Sequence, residues 1–497
     1  MKAFLVSKRL ISVLALLLSV VMLFAACGPD EDVSDTSNPD DAQTSSLEDT
    51  ADDNSSEVQD DTQNDNNSTN SNQNTNQSQR PNGGNTSGGG STGGNTGFDK
   101  ADYYKSAPKG KIHVLMWRNF DSYEKVLVNQ YTKLTGVEVK TTLIAEKDYS
   151  NKLITMITGK NAPDVVCLQG NNFPNLIIKA MQPLDPKTFQ LDSDCWAYNI
   201  MDAFKINGRY FSVAMPRSWS CEDLNYVTYY NPQLLKSIGV TTMPYDLYKQ
   251  GKWNWETQAE IIRKGKAANK VGLEVQSTDV YMHSAGQDFV SYNGKQYTNI
   301  LRSGKYNPLL VQSWSELASF YADKSVGTWG ITDTSTGKCA LTTAIAYGLY
   351  NAQGNGAWYT ANQGSSLRAV PVAGPKGGTA YTPLRPKTWG VPKSAKNPEG
   401  AAYFLRYFLD VKNFNFDGSF HNSNFKEVYN IITNPKAKKS IMYGWGVANY
   451  VDTSLYSNIL SALSGAQSQN VTSVLDQVAT ALNTPIDKAN KDLKKIK

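Results

Sequence analysis

Histidine and cysteine are scarce in this chain of 497 residues, which has three histidines and five cysteines. No cysteines are arranged as C-x-x-C and none cluster with histidine, so a structural zinc site is not expected. No G-x-S-x-G motif accompanies the histidines, which argues against a hydrolase triad. Neither a P-loop nor a dinucleotide fingerprint is present. A pair of catalytic carboxylates, as in a glycoside hydrolase, stays open because there are 45 acidic residues.

Charged residues make up only 19% of the chain, and the two signs are distributed unevenly. Residues 29–100 contain many Asp and Glu but only Arg80 and Lys100 as basic residues. The folded body that follows, residues 101–497, is therefore basic, by roughly +14. A lysine-rich surface that keeps the protein in solution is one explanation, and attraction to an anionic wall polymer or an acidic ligand is the alternative.

The N-terminus has the pattern of a secretory signal peptide, which we predict at residues 1–26. A positive segment precedes an apolar run, residues 10–26, that is slightly short for a membrane span. The run ends in FAACG at residues 24–28, which resembles a bacterial lipobox, although Phe24 stands where leucine is usual. The resemblance implies lipidation of Cys27 and anchoring on the extracytoplasmic face of the cell membrane. A signal peptide cut elsewhere is the alternative.

Residues 27–105 have almost nothing apolar to bury. An acidic part is followed by an Asn/Gln/Ser/Thr-rich part and then by a Gly/Ser-rich part. This composition predicts a disordered linker, extended by charge repulsion in its acidic half and flexible in its glycine-rich half. We expect it to act as a long flexible tether between a lipid anchor and a folded body.

Strand and helix patterns alternate at the start of the folded body. Buried strands are predicted at residues 111–117, 137–139 and 162–168, and the helices between them end at Gly136 and Gly159. This alternation indicates a parallel sheet with helices on both faces. Ligands of such sheets bind beyond the carboxyl ends of the strands.

Four later segments resemble those of the extracellular solute-binding proteins of ABC importers, family 1. Residues 161–185 contain a P-D-V strand followed by P-L-D, and residues 207–216 match G-K-x-Y-x-x-P. Residues 226–266 contain YYNP, a glycine-ended helix and W-x-W-E-T, while residues 389–399 match x-G-I-x-K-x-S-K-N-P-E. The resemblance rests on their order and spacing and covers nearly all of residues 109–497.

The resemblance implies an α/β fold with two lobes, of the periplasmic-binding-protein-like type II, and an interdomain cleft. It implies three crossover segments, near residues 214–224, 382–390 and 415–430. We predict lobe 1 at 106–218, with 388–420 returning to it, and lobe 2 at 219–387, with 421–497 returning to it.

The resemblance further implies a protein that captures a sugar or oligosaccharide by lobe closure and delivers it to a membrane permease of an ABC importer. We expect a monomer that is not an enzyme and binds neither cofactor, metal nor nucleic acid. A glycan hydrolase, a protein for another solute such as a peptide, polyamine or metal, and a sensory role are the alternatives. A Cys195–Cys221 disulfide is possible outside the cell.

A sugar site requires aromatic rings that stack on sugar C–H faces together with amide, carboxylate and guanidinium groups that bind hydroxyls. For each aromatic candidate, core packing is the alternative. Trp219 and the loop at 169–173 rank first, because we place them at the first crossing and at the end of a strand. The candidates are Arg118, Asn119, Gln169, Asn171, Asn172, Phe173, Arg217, Trp219, Asp279, Tyr281, Tyr347, Trp389 and Trp445.

Overall fold

The structure is a computed structural model, and parts of the chain are described in it. These parts are residues 101–222, 224–327, 334–349, 366–413, 420–466 and 470–496. The predicted signal peptide, Cys27 and nearly all of the predicted linker lie outside them. Among the described residues, no helix combines the length and apolar character that crossing a membrane requires.

Strands and helices alternate along most of the described chain. The strands are β1 (Lys111–Met116), β2 (Glu138–Leu143), β3 (Val165–Gln169), β4 (Ser212–Val213), β5 (Tyr226–Tyr230), β6 (Val271–Val275), β7 (Val290–Tyr292), β8 (Tyr297–Asn299), β9 (Val326–Gly327), β10 (Cys339–Ile345), β11 (Arg368–Pro371), β12 (Thr382–Leu384), β13 (Lys387–Gly390) and β14 (Lys439–Ile441). The helices are α1 (Ala101–Lys105), α2 (Ser122–Thr135), α3 (Glu146–Thr158), α4 (Asn175–Ala180), α5 (Tyr198–Met201), α6 (Trp219–Glu222), α7 (Pro232–Ser237), α8 (Pro244–Lys249), α9 (Trp255–Ala267), α10 (Val280–Ser284), α11 (Pro308–Ala322), α12 (Pro398–Leu409), α13 (Ser423–Ile432), α14 (Tyr443–Ala448), α15 (Leu455–Ser464) and α16 (Val471–Leu493).

Several helix ends follow from local sequence. Asp121 and Glu124 form a capping box at the start of α2, and Gly136 ends that helix with a left-handed φ of 72°. The Asn254 side chain accepts the first free N–H groups of α9. Asn397 caps α12, in which proline occupies the first turn. Each of these caps joins residues that are close together in the sequence.

Two five-stranded sheets form the framework, and their strand orders are equivalent. The first sheet has the order β2-β1-β3-β13-β4, and the second has the order β9-β6-β10-β5-β11. In each, three parallel strands are followed by one antiparallel strand. That antiparallel strand, β13 in the first sheet and β5 in the second, is the first strand of its sheet that the chain enters after leaving the other sheet. The predicted two-lobed α/β fold is confirmed.

The chain passes between the two sheets three times. It leaves the first sheet after β4 and enters the second at β5, and it returns between β11 and β13. The third passage follows α12, because α13 already packs on β11, where the Asn424 side chain hydrogen-bonds the backbone of Ala369 in both directions. The predicted third crossover near 415–430 therefore overlaps a helix of the second lobe.

A short parallel pair, β12 with β14, joins the second passage to a later part of the chain. Asn225 of the first passage forms a bridge to Leu384 of β12. Backbone hydrogen bonds thus connect two passages directly next to the place where the lobes meet.

Helix α14 packs closely on the turn that follows β3. A Cβ atom added to Gly446 of α14 would lie 1.9 Å from the carbonyl oxygen of Phe173, so only glycine fits there. This close approach brings Trp445, the residue before it, to the carboxyl end of the first sheet.

Candidate functional site

Arg385 lies in the second passage between the sheets, and its guanidinium group interacts with residues from several segments. Its Nη2 atom donates to the Ser277 hydroxyl at 2.5 Å. The same nitrogen lies 3.9 Å from a carboxylate oxygen of Asp279. Both partners follow the carboxyl end of β6, where α/β sheets bind ligands. The Arg385 side chain keeps 19% of its surface exposed.

Two aromatic rings flank the Arg385 guanidinium. Its central carbon lies 4.5 Å from the ring centroid of Trp445 and 5.5 Å from that of Tyr226. Both distances are within the range of cation–π attraction. Tyr226 is fully buried, whereas Trp445 is half-buried. The partly exposed indole of Trp445 and the partly exposed guanidinium of Arg385 therefore lie side by side.

Asp279 is fully buried and has its charge compensated locally. One carboxylate oxygen accepts from the Ser277 hydroxyl, and the other accepts from the Tyr456 hydroxyl at 2.7 Å. The Asp279 carboxylate thus orients Arg385 and is covered by protein. We reassign Asp279 from direct ligand contact to positioning of Arg385.

The Asp288 carboxylate holds the helix that carries Trp445. It accepts from the backbone N–H groups of Tyr443 and Gly444, in the first turn of α14, at 2.9 and 3.1 Å. Burial raises the pKa of Asp288, although nearby His283 and the backbone N–H groups of Gly444 and Phe289 act in the opposite direction.

The first lobe contributes Glu146, in the first turn of α3, directly after β2. Helix α3 is fixed on the strand ends by the Tyr149 hydroxyl, which donates to the carbonyls of Leu115 and Cys167. Burial on its own lowers the pKa of Arg385, but its acidic neighbours, among them Tyr226 and Glu146, raise it overall. The Glu146 carboxylate thus contributes to the electrostatic environment that favours the charged form of Arg385.

The turn after β3 lies beside the same helix. The Asn172 side chain accepts from the backbone N–H of Gln169 at 2.8 Å, and its amide lies 3.5 Å from the Ser150 hydroxyl of α3. Trp117, after β1, packs edge-on against Tyr149 at 5.7 Å. The carboxyl ends of β1, β2 and β3 thus come together near α14.

Arg118 is occupied by a structural ion pair. Its two terminal nitrogens donate to both carboxylate oxygens of Glu124, at 2.6 and 2.8 Å. Although burial alone raises the pKa of Glu124, Arg118 and the other polar neighbours lower it to about 2. The Ser220 hydroxyl of α6 also donates to Glu124 at 2.8 Å. The Arg118 pair therefore ties the first passage to α2.

A second buried ion pair lies in the passages between the lobes. Lys439 of β14 contacts Glu222 of α6, and the two side chains are only 2% and 1% exposed. The Asn225 side chain donates to the same Glu222 carboxylate at 3.0 Å. Because the first passage meets β14 here, we call Glu222, Lys439 and Asn225 the hinge cluster.

Three aromatic candidates lie in the hydrophobic core. Phe173 packs edge-on against Phe204 at 4.8 Å, and the Trp389 indole nitrogen donates to the carbonyl of Ser220 at 3.0 Å. Tyr281 lies parallel to the buried Trp255 at 6.4 Å. All three candidates are at most 4% exposed, so we reassign Phe173, Tyr281 and Trp389 from ligand contact to packing.

The remaining candidates are scattered. Asn119 and Arg217 are exposed, and the Arg217 carbonyl accepts from the Tyr429 hydroxyl at 2.8 Å. Tyr347 is half-buried against a separate hydrophobic cluster that includes Tyr229. The side chains of Trp219 and Asn171 lie outside the described part of the structure, as does all of Cys27, so their predicted roles stay predictions.

Sequence reasoning missed Arg385, Glu146 and Ser277. Arg385 falls inside the predicted second crossover at 382–390. A basic residue at that place could have been predicted to lie at the ligand site. Glu146 follows the strand predicted at residues 137–139, and no local pattern marks it as a ligand contact. Ser277 adjoins the predicted Asp279 but carries no pattern of its own.

The cysteines of the folded body are free thiols. Cys167, Cys195, Cys221 and Cys339 are all buried, and Cys195 and Cys221 do not pair. Burial raises the pKa of Cys221 to about 12, so its thiol stays protonated and unreactive at neutral pH. The described residues contain no group of histidine, cysteine and acidic side chains that is suited to a metal ion.

Comparisons with known proteins agree with the two-lobed fold. The model of a family described as bacterial extracellular solute-binding protein matches residues 118–413. The crystal structure of a cyclic alpha-maltosyl-1,6-maltose binding protein from Arthrobacter globiformis is similar, with a TM-score of 0.54 and 16% sequence identity. The similarity covers 78% of this chain and 100% of that chain, and at this identity it concerns the fold alone. No curated protein matches the chain.

Proposed function

Since the family model matches more than half of the chain, the chain belongs to the bacterial extracellular solute-binding proteins, and we propose that its solute is a carbohydrate. In this proposal the protein closes around a sugar or oligosaccharide and hands it, unmodified, to an ABC importer. Cys27 anchors it by lipid to the outer face of the membrane, and residues 27–105 form its tether.

The observation that carries the sugar proposal is the pairing of Trp445 with Arg385. A half-buried indole supplies a face or edge for sugar C–H groups, and the neighbouring guanidinium donates to hydroxyls. In this proposal Trp445 and Arg385 line the cleft between the two sheets, and Glu146 is the contribution of the first lobe. An aromatic group beside polar groups of both kinds is what carbohydrate recognition requires.

The same arrangement provides a reason for lobe closure. Glu146 belongs to the first lobe and Ser277 to the second, so a ligand between them makes contacts with both. Closure is then favoured only when the site is filled, because the differential contacts exist only in the closed state. The hinge cluster lies on the passages about which such a movement would occur.

A thermal-unfolding screen tests the proposal. The folded protein is heated with a panel of neutral oligosaccharides, including α-1,4- and α-1,6-linked glucose oligomers, and with peptides and polyamines as comparison solutes. We expect at least one oligosaccharide to raise the melting temperature, because a ligand that binds only the native state stabilises it.

The ligand is then incubated with the protein for a prolonged time and recovered, and its molecular mass is determined by mass spectrometry. Recovery of the unchanged oligosaccharide supports a binding protein, whereas cleavage products would identify a glycan hydrolase. A rise in melting temperature with a peptide or polyamine and with no sugar would overturn the carbohydrate proposal.

Membrane anchoring is tested in cells. The full-length protein should incorporate a labelled fatty acid and remain with the membrane fraction, and Cys27→Ser should abolish both. Anchoring is stable when more than one acyl chain is attached. Unchanged labelling of Cys27→Ser would contradict the lipidation proposal.

A further inference from the structure

We propose that a groove at the amino end of the first sheet, remote from the Arg385 site, binds a linear phosphodiester polymer of the cell surface. Lys179, Arg209, Lys393 and Lys495 line this groove, and we call it the basic groove. The proposal goes beyond solute capture and does not depend on which solute the protein carries. It assigns a location to part of the positive charge of residues 101–497.

The basic groove lies at the end of the first sheet opposite the Arg385 site. Strand β13 runs antiparallel to β3 and pairs Gly390, its last residue, with Val166 near the start of β3. The residues after β13 therefore lie at the amino end of β3, whereas ligands of α/β sheets bind at the carboxyl ends. The backbone N–H of Lys393 donates to the carbonyl of Ala180 at 2.8 Å, which fixes the lysine at this end.

The groove is a concave space of about 630 Å³ with an apolar lining. The end of α16 is attached here, because the Asn207 side chain donates to the Ile496 carbonyl at 2.8 Å. A space of this size holds a small molecule or one segment of a chain. It is too narrow for a folded partner and too concave for a flat bilayer surface. The apolar side chains that line it are Ile178, Met181, Pro183, Phe211 and Ile496.

Four cations and one carboxylate line the groove. The Lys393 ammonium group donates to the carbonyl of Ile178 at 3.0 Å, and that of Lys179 lies 5.6 Å from the ring centroid of Tyr450. The Arg209 guanidinium lies 5.8 Å from the centroid of a phenylalanine ring. In the part of the chain that the structure describes, none of these three cations forms an ion pair. Their charges are therefore available to an anionic ligand.

Asp492, the carboxylate of the groove, is already engaged. It accepts from the Lys495 ammonium group at 2.5 Å and from the Tyr450 hydroxyl at 2.8 Å. The hydrogen bond from Lys495 lowers the pKa of Asp492, and the charge of Lys179 acts in the same direction. Once the charge of Asp492 is set against that of Lys495, three positive charges remain along the groove.

Two further carboxylates on neighbouring segments are engaged as well. Asp202 lies 3.6 Å from the ammonium group of Lys205, and Asp185 accepts from a backbone N–H of its own turn at 2.7 Å. Lys491 and Lys494 are exposed at the end of α16 and add positive charge beside the groove. The surroundings thus reinforce the positive charge of the groove.

A phosphodiester chain matches this arrangement. Lysine and arginine donate charge-assisted hydrogen bonds to phosphate oxygens, and each repeat of such a chain carries one negative charge. A chain can contact the four cations in succession, whereas a single phosphate reaches only some of them. The carbon units between the phosphates suit the apolar lining. Because the groove is remote from Arg385, the protein can hold the polymer and its solute at the same time.

Fluorescence anisotropy with a labelled glycerol phosphate oligomer tests the proposal. The full-length chain carries Cys27→Ser, so that no lipid anchor contributes. We expect the oligomer to bind and its affinity to fall as sodium chloride is added, because salt screens exposed charges. Monomeric glycerol phosphate should bind more weakly by more than about tenfold, because it cannot contact several cations together. No binding of the oligomer at low salt, or equal affinity for the monomer, would overturn the proposal.

A pair of matched double variants locates the binding. Lys179→Gln with Lys393→Gln should weaken oligomer binding by about tenfold or more. Lys249→Gln with Lys264→Gln removes the same charge from the second lobe and should leave the affinity unchanged. The two pairs are alike in their contacts, because Lys249 lies 5.1 Å from a tyrosine ring and Lys264 donates to a backbone carbonyl. Equal losses in both variants would show that the net charge of the protein, and not the groove, attracts the polymer.

Vesicles of phosphatidylglycerol distinguish a polymer from a membrane surface. We expect the Lys179→Gln and Lys393→Gln double variant and its matched control to bind these vesicles equally. If the groove lysines govern vesicle binding and leave oligomer binding unaffected, the groove docks on the membrane and the polymer proposal is wrong.

The outcome is independent of the proposed carbohydrate function. Calorimetry with the best oligosaccharide should give the same affinity in the groove variant as in the natural protein, and the melting temperature without ligand shows whether the variant is folded. Loss of sugar binding in a folded groove variant would contradict the separation of the two sites. A failure of the sugar screen would leave the polymer measurements interpretable.

Discussion

Arg385 occupies its position because several segments restrain it at once. Ser277 and Asp279 hold one edge of the guanidinium, and Trp445 and Tyr226 cover its faces. Arginine suits this place better than lysine, because its planar group stacks on rings and hydrogen-bonds in fixed directions. The result is a cation whose orientation is set before any ligand arrives.

Replacing Trp445 tests its contribution to binding. We expect Trp445→Ala to weaken binding of the best oligosaccharide by about tenfold or more, because an aromatic contact contributes about 0.5–1.5 kcal/mol beyond its buried area. Trp445→Phe should retain most of the affinity. Calorimetry measures both variants, and unchanged affinity in Trp445→Ala would place the ligand elsewhere.

Glu124 should make the protein sensitive to acid. Its pKa of about 2 in the folded state lies below the ordinary value of 4.5, so its contribution to stability is complete above about pH 4.5 and is lost as the pH falls toward 2. The shift corresponds to about 3 kcal/mol. Urea denaturation at pH 5 and pH 3 measures the change.

Glu124→Gln is the reference for that experiment. The variant is less stable at pH 5, because Arg118 loses its partner, but it should lose less stability between pH 5 and pH 3 than the natural protein. Equal losses in the two proteins would show that the Arg118–Glu124 pair does not couple stability to pH.

At the scale of elements, α14 illustrates how a short segment becomes part of a site. Six residues are too few to form a stable isolated helix. Helix α14 is held instead by the Asp288 cap at its start and by the contact of Gly446 with the turn after β3. These contacts place Trp445 beside Arg385.

The hinge cluster links the first passage to β14, and a single substitution should expose its importance. Lys439→Met leaves the Glu222 carboxylate buried without its cation, and we expect a loss of about 3–5 kcal/mol of unfolding free energy. Adding Glu222→Gln in the same chain should recover much of the loss. Urea denaturation measures each variant.

An exposed pair on α8 provides the control. Lys249 lies 3.0 Å from Asp246, and both side chains are more than half exposed. Lys249→Met should therefore change stability by less than about 1 kcal/mol. A similar loss for Lys249→Met and Lys439→Met would mean that burial of the hinge pair has no special effect.

At the scale of the whole molecule, each sheet contains one strand supplied after a passage from the other. The lobes are joined by the three passages between the sheets, and the cleft lies between the lobes. Movement about such connections is a hinge closure, in which a few residues at the ends of elements absorb the change.

Small-angle X-ray scattering should detect this closure. We expect the radius of gyration to fall when the saturating oligosaccharide is added. Arg385→Met at the same ligand concentration should show no decrease, because the contact that favours closure is missing. A radius of gyration that does not change in the natural protein at saturation would exclude a large lobe movement.

The sequence alone determined the α/β alternation, several helix caps and the two-lobed fold. Those features depend on residues close together in the chain, as Asp121 and Glu124 show, or on ordered motifs. Trp253 and Trp255 of the W-x-W-E-T motif are buried, and their indole nitrogens donate to the Pro371 carbonyl and the Ser284 hydroxyl.

Only the tertiary structure decided which polar residues meet. Arg385 and Trp445 are far apart in sequence and carry no shared pattern, and Trp445 reaches the guanidinium through the close packing of α14. Phe173, Tyr281 and Trp389 were predicted to contact ligand, but they pack in the core. The residue type did not distinguish the two roles, because an aromatic ring serves a core and a sugar site equally well. Burial separates the two roles, and burial is a property of the packed chain and not of the residue type.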